Sequence, residues 1–182
     1  MPPHPHDPPP AGAPAPPDQH RAAAPAAVRC AVVTVSDTRT EADDRGGAAI
    51  LELLDSSPHT VAERRIIPDE PVAIEQLLDT LAVHQEVDAV LLTGGTGIAP
   101  RDNTIDVVER LLDKTLPGYG ELFRMLSYQQ IGPAAMLSRA TAGVIGGKVL
   151  LTMPGSPNAV RLAMEKLILP ELSHLVGQAR GG

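Results

Sequence analysis

Tryptophan is missing from this chain and cysteine nearly so. Its 182 residues include one cysteine, one phenylalanine and two tyrosines. A single cysteine, Cys30, excludes an intramolecular disulfide and any cysteine-based zinc site. Its place in the apolar run Val28-Arg29-Cys30-Ala31-Val32-Val33 suits a small core residue better than a nucleophile. The aromatics, Tyr119, Phe123 and Tyr128, stand at near-helical spacing and fit core or subunit contact better than a base-stacking platform. Fifteen Lys and Arg against 22 Asp and Glu give a net charge of −7, which argues against nucleic acid as the main partner. No apolar run approaches membrane-spanning length, and the first residues lack the basic and apolar regions of a signal peptide. The expectation is no membrane association and a soluble, cytoplasmic protein.

What is present divides into two materials. Residues 1–27 hold ten of the 19 prolines, with alanine, and nothing apolar larger than alanine after Met1. Such a segment cannot offset its ordering entropy by burial, so a disordered, Pro/Ala-rich tail is expected. His4, His6 and His20 lie in it without a closed metal-ligand set. Residues 28–182, in a chain that is 43% hydrophobic, are expected to form one domain.

Within that domain, apolar periodicity switches between two kinds of segment. Strands are predicted at 29–35, 60–67, 89–92, 142–145 and 148–153. Helices are predicted at 48–55, 71–84, from 105 to near 113, 121–129 and 159–175. Gly146-Gly147 suits a two-residue hairpin turn. Strands alternating with helices predict an α/β fold with a mostly parallel sheet covered on both faces. Ligands of such sheets bind beyond the carboxyl ends of the strands. Ser36-Asp37, Asp69-Glu70 and the stretch 94–102 each follow a strand, so they should converge on one edge.

The centre of that edge is Thr93-Gly94-Gly95-Thr96-Gly97, between the buried run Ala89-Val90-Leu91-Leu92 and a helix. Glycines let a ligand approach the backbone, and a helix start presents N–H groups to an anion. The order predicts a phosphate cradle with the Asp102 carboxylate at its rim. It has neither the Gly-Lys-Ser/Thr of a P-loop nor the dinucleotide glycine spacing. A purely structural turn remains open, with Asp102 or Asn103 capping the next helix and Asp69 the helix at Pro71. A second glycine loop, Pro154-Gly155-Ser156-Pro157-Asn158, also joins a strand to a helix. Ser156 there reads as a cap or as part of a phosphate cradle. Asp37 reads as ordering its own loop.

The phrases TGGTGIAPRD, IPDE, PGYGELFRMLSYQQIGP, LSRATAG and MPGSPNAV, in one chain, closely resemble the MoaB/MogA family of molybdenum cofactor biosynthesis. The resemblance covers residues 29–175, and PGYGELFRMLSYQQIG resembles the MoaB branch more than the MogA branch. It implies a three-layer α/β/α sandwich assembling as a homotrimer or homohexamer, with molybdopterin as ligand. In the MogA branch it implies adenylyl transfer from Mg-ATP to the terminal phosphate of molybdopterin, with release of pyrophosphate. Carried over residue by residue, it places catalytic and magnesium-binding roles on Asp69 and Asp102. Ligand-phosphate binding falls on Thr93, Gly94, Gly95, Thr96 and Gly97, with Ser156 and Asn158 in the second loop. The loop 36–47 carries Arg45-Gly46-Gly47 where a Ser-Gly pair is frequent in the family. The alternative is a non-catalytic molybdopterin carrier of the same pathway, working with other cofactor-biosynthesis proteins.

Overall fold

A computed structural model describes residues 24–181. The expected tail therefore lies largely outside the described residues, as do His4, His6 and His20. Six strands form one sheet in the order β2-β1-β3-β6-β5-β4. They are β1 (Arg29–Val35), β2 (Thr60–Ile67), β3 (Ala89–Thr93), β4 (Lys114–Thr115), β5 (Ala142–Ile145) and β6 (Lys148–Met153). Strands β2, β1, β3 and β6 run parallel, whereas β6, β5 and β4 are antiparallel neighbours. The helices are α1 (Arg45–Asp55), α2 (Pro71–Val83), α3 (Thr104–Leu111), α4 (Pro117–Ile131), α5 (Pro157–Ala163) and α6 (Leu169–Ala179).

Successive side chains of a strand point to opposite faces, and here they fill two separate cores. Cys30, Val32, Ala89, Leu91, Val149 and Leu151 join α1, α4, α5 and α6 on one face. Ala31, Val33, Val90, Leu92 and Leu150 join α2 and α3 on the other. This is the expected three-layer α/β/α arrangement. All five residues of β3 are buried, so its continuous apolar run reflects burial on both faces. Replacing Leu91 by Ala would cost about 2–5 kcal/mol. Strand β2 lies at the edge, with exposed Val61 and a Glu63–Arg65 ion pair. Charges of this kind discourage pairing with another sheet.

The departures from the periodicity concern α1, α4, β4 and the last helix, expected as one run over 159–175. Helix α1 begins at Arg45 rather than residue 48, because Asp44 Oδ1 accepts the Gly47 N–H at 2.8 Å and caps it. Helix α4 begins at Pro117 rather than residue 121, although it then contains Gly118 and Gly120. Pro117 supplies a favourable first-turn residue. Gly120 is required by packing, since a Cβ there would lie 2.5 Å from the Ala140 carbonyl oxygen. The third departure is β4, a two-residue strand that no pattern announced. At the chain's end, α5 passes through a π segment, Met164–Ile168, into α6. Pro170 cannot donate to the preceding turn, and the widened segment before it accommodates the ring. The hairpin turn is as expected, with Gly146 at φ 54° and Gly147 at φ 75°.

Candidate functional site

Four loops leave the carboxyl ends of the parallel strands and meet above one edge of the sheet. Hydrogen bonds tie them together. Asp37 Oδ1 accepts the Asp69 N–H at 3.1 Å, and Asp69 Oδ1 accepts the Asn103 N–H at 3.2 Å. Asn103 Nδ2 donates to the Asp69 carbonyl at 3.3 Å, while Arg101 pairs with Asp37. On the other flank, the Gly94 N–H donates to the Met153 carbonyl at 3.1 Å. The buried Thr93 hydroxyl donates to the Pro154 carbonyl at 3.0 Å.

The glycine loop is shaped by close approach. Gly94 and Gly95 have φ of 104° and 60°, values that favour glycine. A Cβ on Gly94 would fall 2.2 Å from the Val35 carbonyl oxygen, and one on Gly95 would fall 2.0 Å from Thr104 Oγ1. Four consecutive N–H groups, those of Gly95, Thr96, Gly97 and Ile98, meet no acceptor among the described residues. The next, on Ala99, donates to Asp102 Oδ2 at 2.8 Å. Runs of unpaired amides around tight turns are the kind of backbone from which anion-binding concavities are built.

Two carboxylates stand against it. Asp69 Oδ2 lies 2.6 Å from where a Gly95 Cβ would be, and Asp102 Oδ2 lies 2.6 Å from where a Gly97 Cβ would be. Neither caps the helix after it. Glu70 and Asn103 occupy the capping positions of α2 and α3, without a side-chain cap bond at either. Asp69 Oδ2 and Asp102 Oδ1 accept no hydrogen bond among the described residues. Burial, reinforced by Asp102 and Asp37, holds the Asp69 carboxyl above its usual range against the opposing Asn103 N–H. That is the behaviour of a carboxylate short of positive charge.

Two cavities flank the loop and share Gly94, Gly155 and Ser156. One, of about 500 Å³, carries Thr34, Ser36, Arg39, Asp44 and Arg45 on its walls. The other, of about 390 Å³, sets the loop and Asp102 against Phe123, Ile131 and Leu137. Ser156 caps α5, its Oγ accepting the Ala159 N–H at 3.2 Å, and lines both cavities. Asn158 is exposed in a neighbouring depression with Arg45, Glu52 and Arg161, outside both. Thr93, Gly94, Gly95, Thr96, Gly97, Asp69, Asp102 and Ser156 are thus brought together, and Asn158 stands apart. No three His, Cys, Asp or Glu side chains converge as a metal cage among the described residues.

Sequence reasoning singles out neither Arg39 nor Arg139, and names Arg45 only as a departure from the family's loop. Arg139 N donates to the Thr96 carbonyl at 2.9 Å, and its Nε to the Gly97 carbonyl at 2.8 Å. The signal available was an arginine inside LSRATAG, a stretch with no helical or strand period. The aromatics divide: Tyr119 and Phe123 are buried and stacked with centroids 6.4 Å apart, whereas Tyr128 is 60% exposed. Among the described residues no helix is long and apolar enough to cross a membrane.

Residues 31–174 match the family described as "Probable molybdopterin binding domain". A molybdenum cofactor biosynthesis protein B of Halalkalibacterium halodurans is 52% identical over 160 residues, 87% of this chain and 94% of that protein. A crystal structure of a molybdenum cofactor biosynthesis protein B superposes with a TM-score of 0.84 at 51% identity, covering 87% of this chain and 99% of the other. The tungsten cofactor synthesizing protein MoaB of Pyrococcus furiosus superposes at 0.76 and 39% identity, covering 86% and 99%. The chain belongs to the molybdopterin-binding domain family of molybdenum cofactor biosynthesis, on its MoaB-type branch.

Proposed function

We propose that this protein binds molybdopterin and transfers the adenylyl group of Mg-ATP to its terminal phosphate. In that reaction a phosphate oxygen of the pterin attacks the α-phosphorus of ATP, a new P–O bond forms, and the bond to the departing pyrophosphate breaks. The observation that carries the reading is the pairing of four free amides with two carboxylates at one loop. Amides alone would serve any phosphate binder. Carboxylates pressed against a phosphate site repel the ligand unless a cation stands between them.

The donor set fits magnesium, a hard cation held by one or two carboxylates and otherwise by phosphate oxygens and water. Asp69 and Asp102 would hold it, each with an oxygen free of donors among the described residues. When bound, magnesium supplies neutralisation of the phosphate charge that develops during transfer. The chain's own contribution is positional. The amides of Gly95–Ile98 fix phosphate oxygens, and the two flanking cavities hold the rest of each reactant in line. No protein base is needed, because a phosphate monoester is already mostly ionised at neutral pH.

The reading extends to self-assembly. Leu122, Met125, Tyr128 and Ile131 recur every third residue along α4, each 48–60% exposed, and Met136 beyond them is 73% exposed. An apolar stripe of this kind supports a homo-oligomer, a trimer or hexamer, built on α4. Met125→Lys should then yield a smaller particle by light scattering at unchanged helix content.

The deciding experiment incubates pure protein with molybdopterin, ATP and magnesium and reads the pterin by mass. An adenylylated product accompanied by pyrophosphate is expected. Tight pterin binding with no product would make the protein a carrier instead.

A further inference from the structure

The Gly97 carbonyl of the glycine loop is held by a residue 42 positions away in sequence. Arg139 belongs to no helix or strand, yet it is bonded on every side. Its Nε donates to the Gly97 carbonyl at 2.8 Å, and one terminal nitrogen donates to the Asp102 carbonyl at 2.6 Å. The other terminal nitrogen donates to both oxygens of Asp106, at 2.9 and 3.0 Å. Its backbone N–H takes the Thr96 carbonyl at 2.9 Å.

In a trans peptide, each N–H points opposite to the carbonyl that precedes it, and no cis bond occurs among the described residues. Drawing the carbonyls of Thr96, Gly97 and Asp102 toward Arg139 therefore turns the N–H groups of Gly97, Ile98 and Asn103 away from it. The last of these shows where that direction leads: it meets Asp69 Oδ1 at 3.2 Å. The first two meet no protein acceptor among the described residues. Had the same peptides rotated, carbonyl oxygens would face the cavity and repel an anion.

We propose that Arg139 is the positioning residue that turns two of the free amides of the glycine loop outward, that of Gly97 through its backbone N–H and that of Ile98 through its guanidinium. The role rests on the phosphate-binding reading of that loop, and it explains why arginine is needed there. A planar fork serves two carbonyls along one edge while its remaining nitrogen engages Asp106. A lysine offers a single point charge and cannot satisfy all three at once. The Arg139 side chain is not needed to anchor its own backbone, because the Thr96 carbonyl already accepts the Arg139 N–H.

The test compares wild type, Arg139→Ala and Arg139→Lys by two readouts: the amide order of Ile98 by NMR in the free protein, with the backbone-held Gly97 as reference, and affinity for inorganic pyrophosphate. In Arg139→Ala the Ile98 amide should become mobile, and affinity should fall tenfold or more, the factor that about 1.4 kcal/mol represents. Millimolar guanidinium should restore both, which a merely structural lesion would not show. Arg139→Lys should lose affinity as well, without rescue, and it carries the comparison if the alanine variant does not fold. Loop order and affinity within twofold of wild type in either variant would overturn the proposal. If wild type itself binds no pyrophosphate while loop order still depends on Arg139, the phosphate reading falls and the positioning role stands.

Discussion

The two ends of the parallel sheet use the same residue type to opposite effect. At the carboxyl end, Asp69 and Asp102 lie against four amides unpaired among the described residues, each with an oxygen that accepts no hydrogen bond from those residues. At the amino end, Asp88 is 6% exposed at its side chain and saturated. It accepts the Arg29 N–H at 2.9 Å, Arg29 Nε at 3.0 Å and an Arg29 terminal nitrogen at 2.8 Å, and it pairs with Arg180. Lys148 Nζ lies nearby, donating to the carbonyls of His84 and Val87 at 2.9 and 2.8 Å. One end is closed and ties β1, β3 and the end of α6 together. The other is held open by carbonyls drawn backward and glycines that cannot carry a side chain. Buried polar groups are normally satisfied, as Asp88 is, whereas Asp69, Asp102, Gly95 and Gly97 at the carboxyl end are partly exposed and open to a ligand or to water.

The largest expected effect lies at the open end. Asp69→Asn and Asp102→Asn keep size and hydrogen-bonding shape but remove the charge that magnesium requires. Each should lower adenylyl transfer by about 100-fold or more, the scale of losing one key electrostatic element. Molybdopterin affinity should survive in part, because the amides hold phosphate without either carboxylate. Steady-state turnover beside equilibrium binding checks this, and unchanged turnover in both variants would remove the aspartates from the chemistry.

At the closed end the same substitution should act on stability alone. Asp88→Asn breaks a mostly buried pairing with two arginines that are themselves partly exposed. Loss of charged hydrogen bonds, discounted for that exposure, comes to about 2 kcal/mol. Urea unfolding should show it, with molybdopterin binding unaltered in the folded protein.

Acid should then separate the two ends by sign. Asp88 is held down to about 2 by its arginine hydrogen bonds, which outweigh burial, although burial is the largest single influence. A depressed carboxyl contributes stability above its unfolded value of about 3.9, lost as pH falls toward 2. Asp69 is raised by burial and by its acidic neighbours, so its contribution runs the other way. Ionising it costs the fold stability as pH rises through its folded value. Asp88→Asn should therefore lower the thermal midpoint at pH 7 and converge on wild type near pH 2. Asp69→Asn should raise the midpoint slightly at pH 7 and leave it unchanged near pH 3. Shifts of one sign in both variants would contradict the contrast.

How much of this was legible in the sequence differs between the ends. The open end announces itself locally, because a buried run such as Ala89-Val90-Leu91-Leu92 followed by glycines needs no distant partner to be recognised. The layers follow from the same alternation of periods. What periodicity cannot carry is pairing across the chain. Asp88 meets Arg29 and Arg180 from 59 and 92 residues away, and nothing at Asp88 marks it as more than a polar residue before a strand. Arg139 escaped for the same reason. Helix α4 was read four residues short because glycine disfavours helix locally, while the close approach of Ala140 requires it at residue 120.

The smallest effect concerns the N-terminal segment, and it tests where the closed end begins. Residues 1–23 lie outside the described residues, and their proline-rich composition supplies little that could be buried. Removing them should leave the thermal midpoint within error. Ala24 and Pro25 are different, since they rest against α6 at Gly177, where a Cβ would stand 3.4 Å from Ala24 Cα and 3.8 Å from Pro25 Cδ. Removing residues 1–27 uncovers that contact, three residues from the Arg180 that pairs with Asp88. It also places the chain start at Val28, whose N–H donates to the Nδ1 of the buried His59 at 3.2 Å. Small apolar contacts of this size are worth about 1 kcal/mol or less, a shift of roughly 2–4 °C at most for a domain of this length. The order of the two truncations is the informative part. If the shorter one already lowers the midpoint as far as the longer, the segment 1–23 packs on the domain, and the boundary of the closed end lies further upstream.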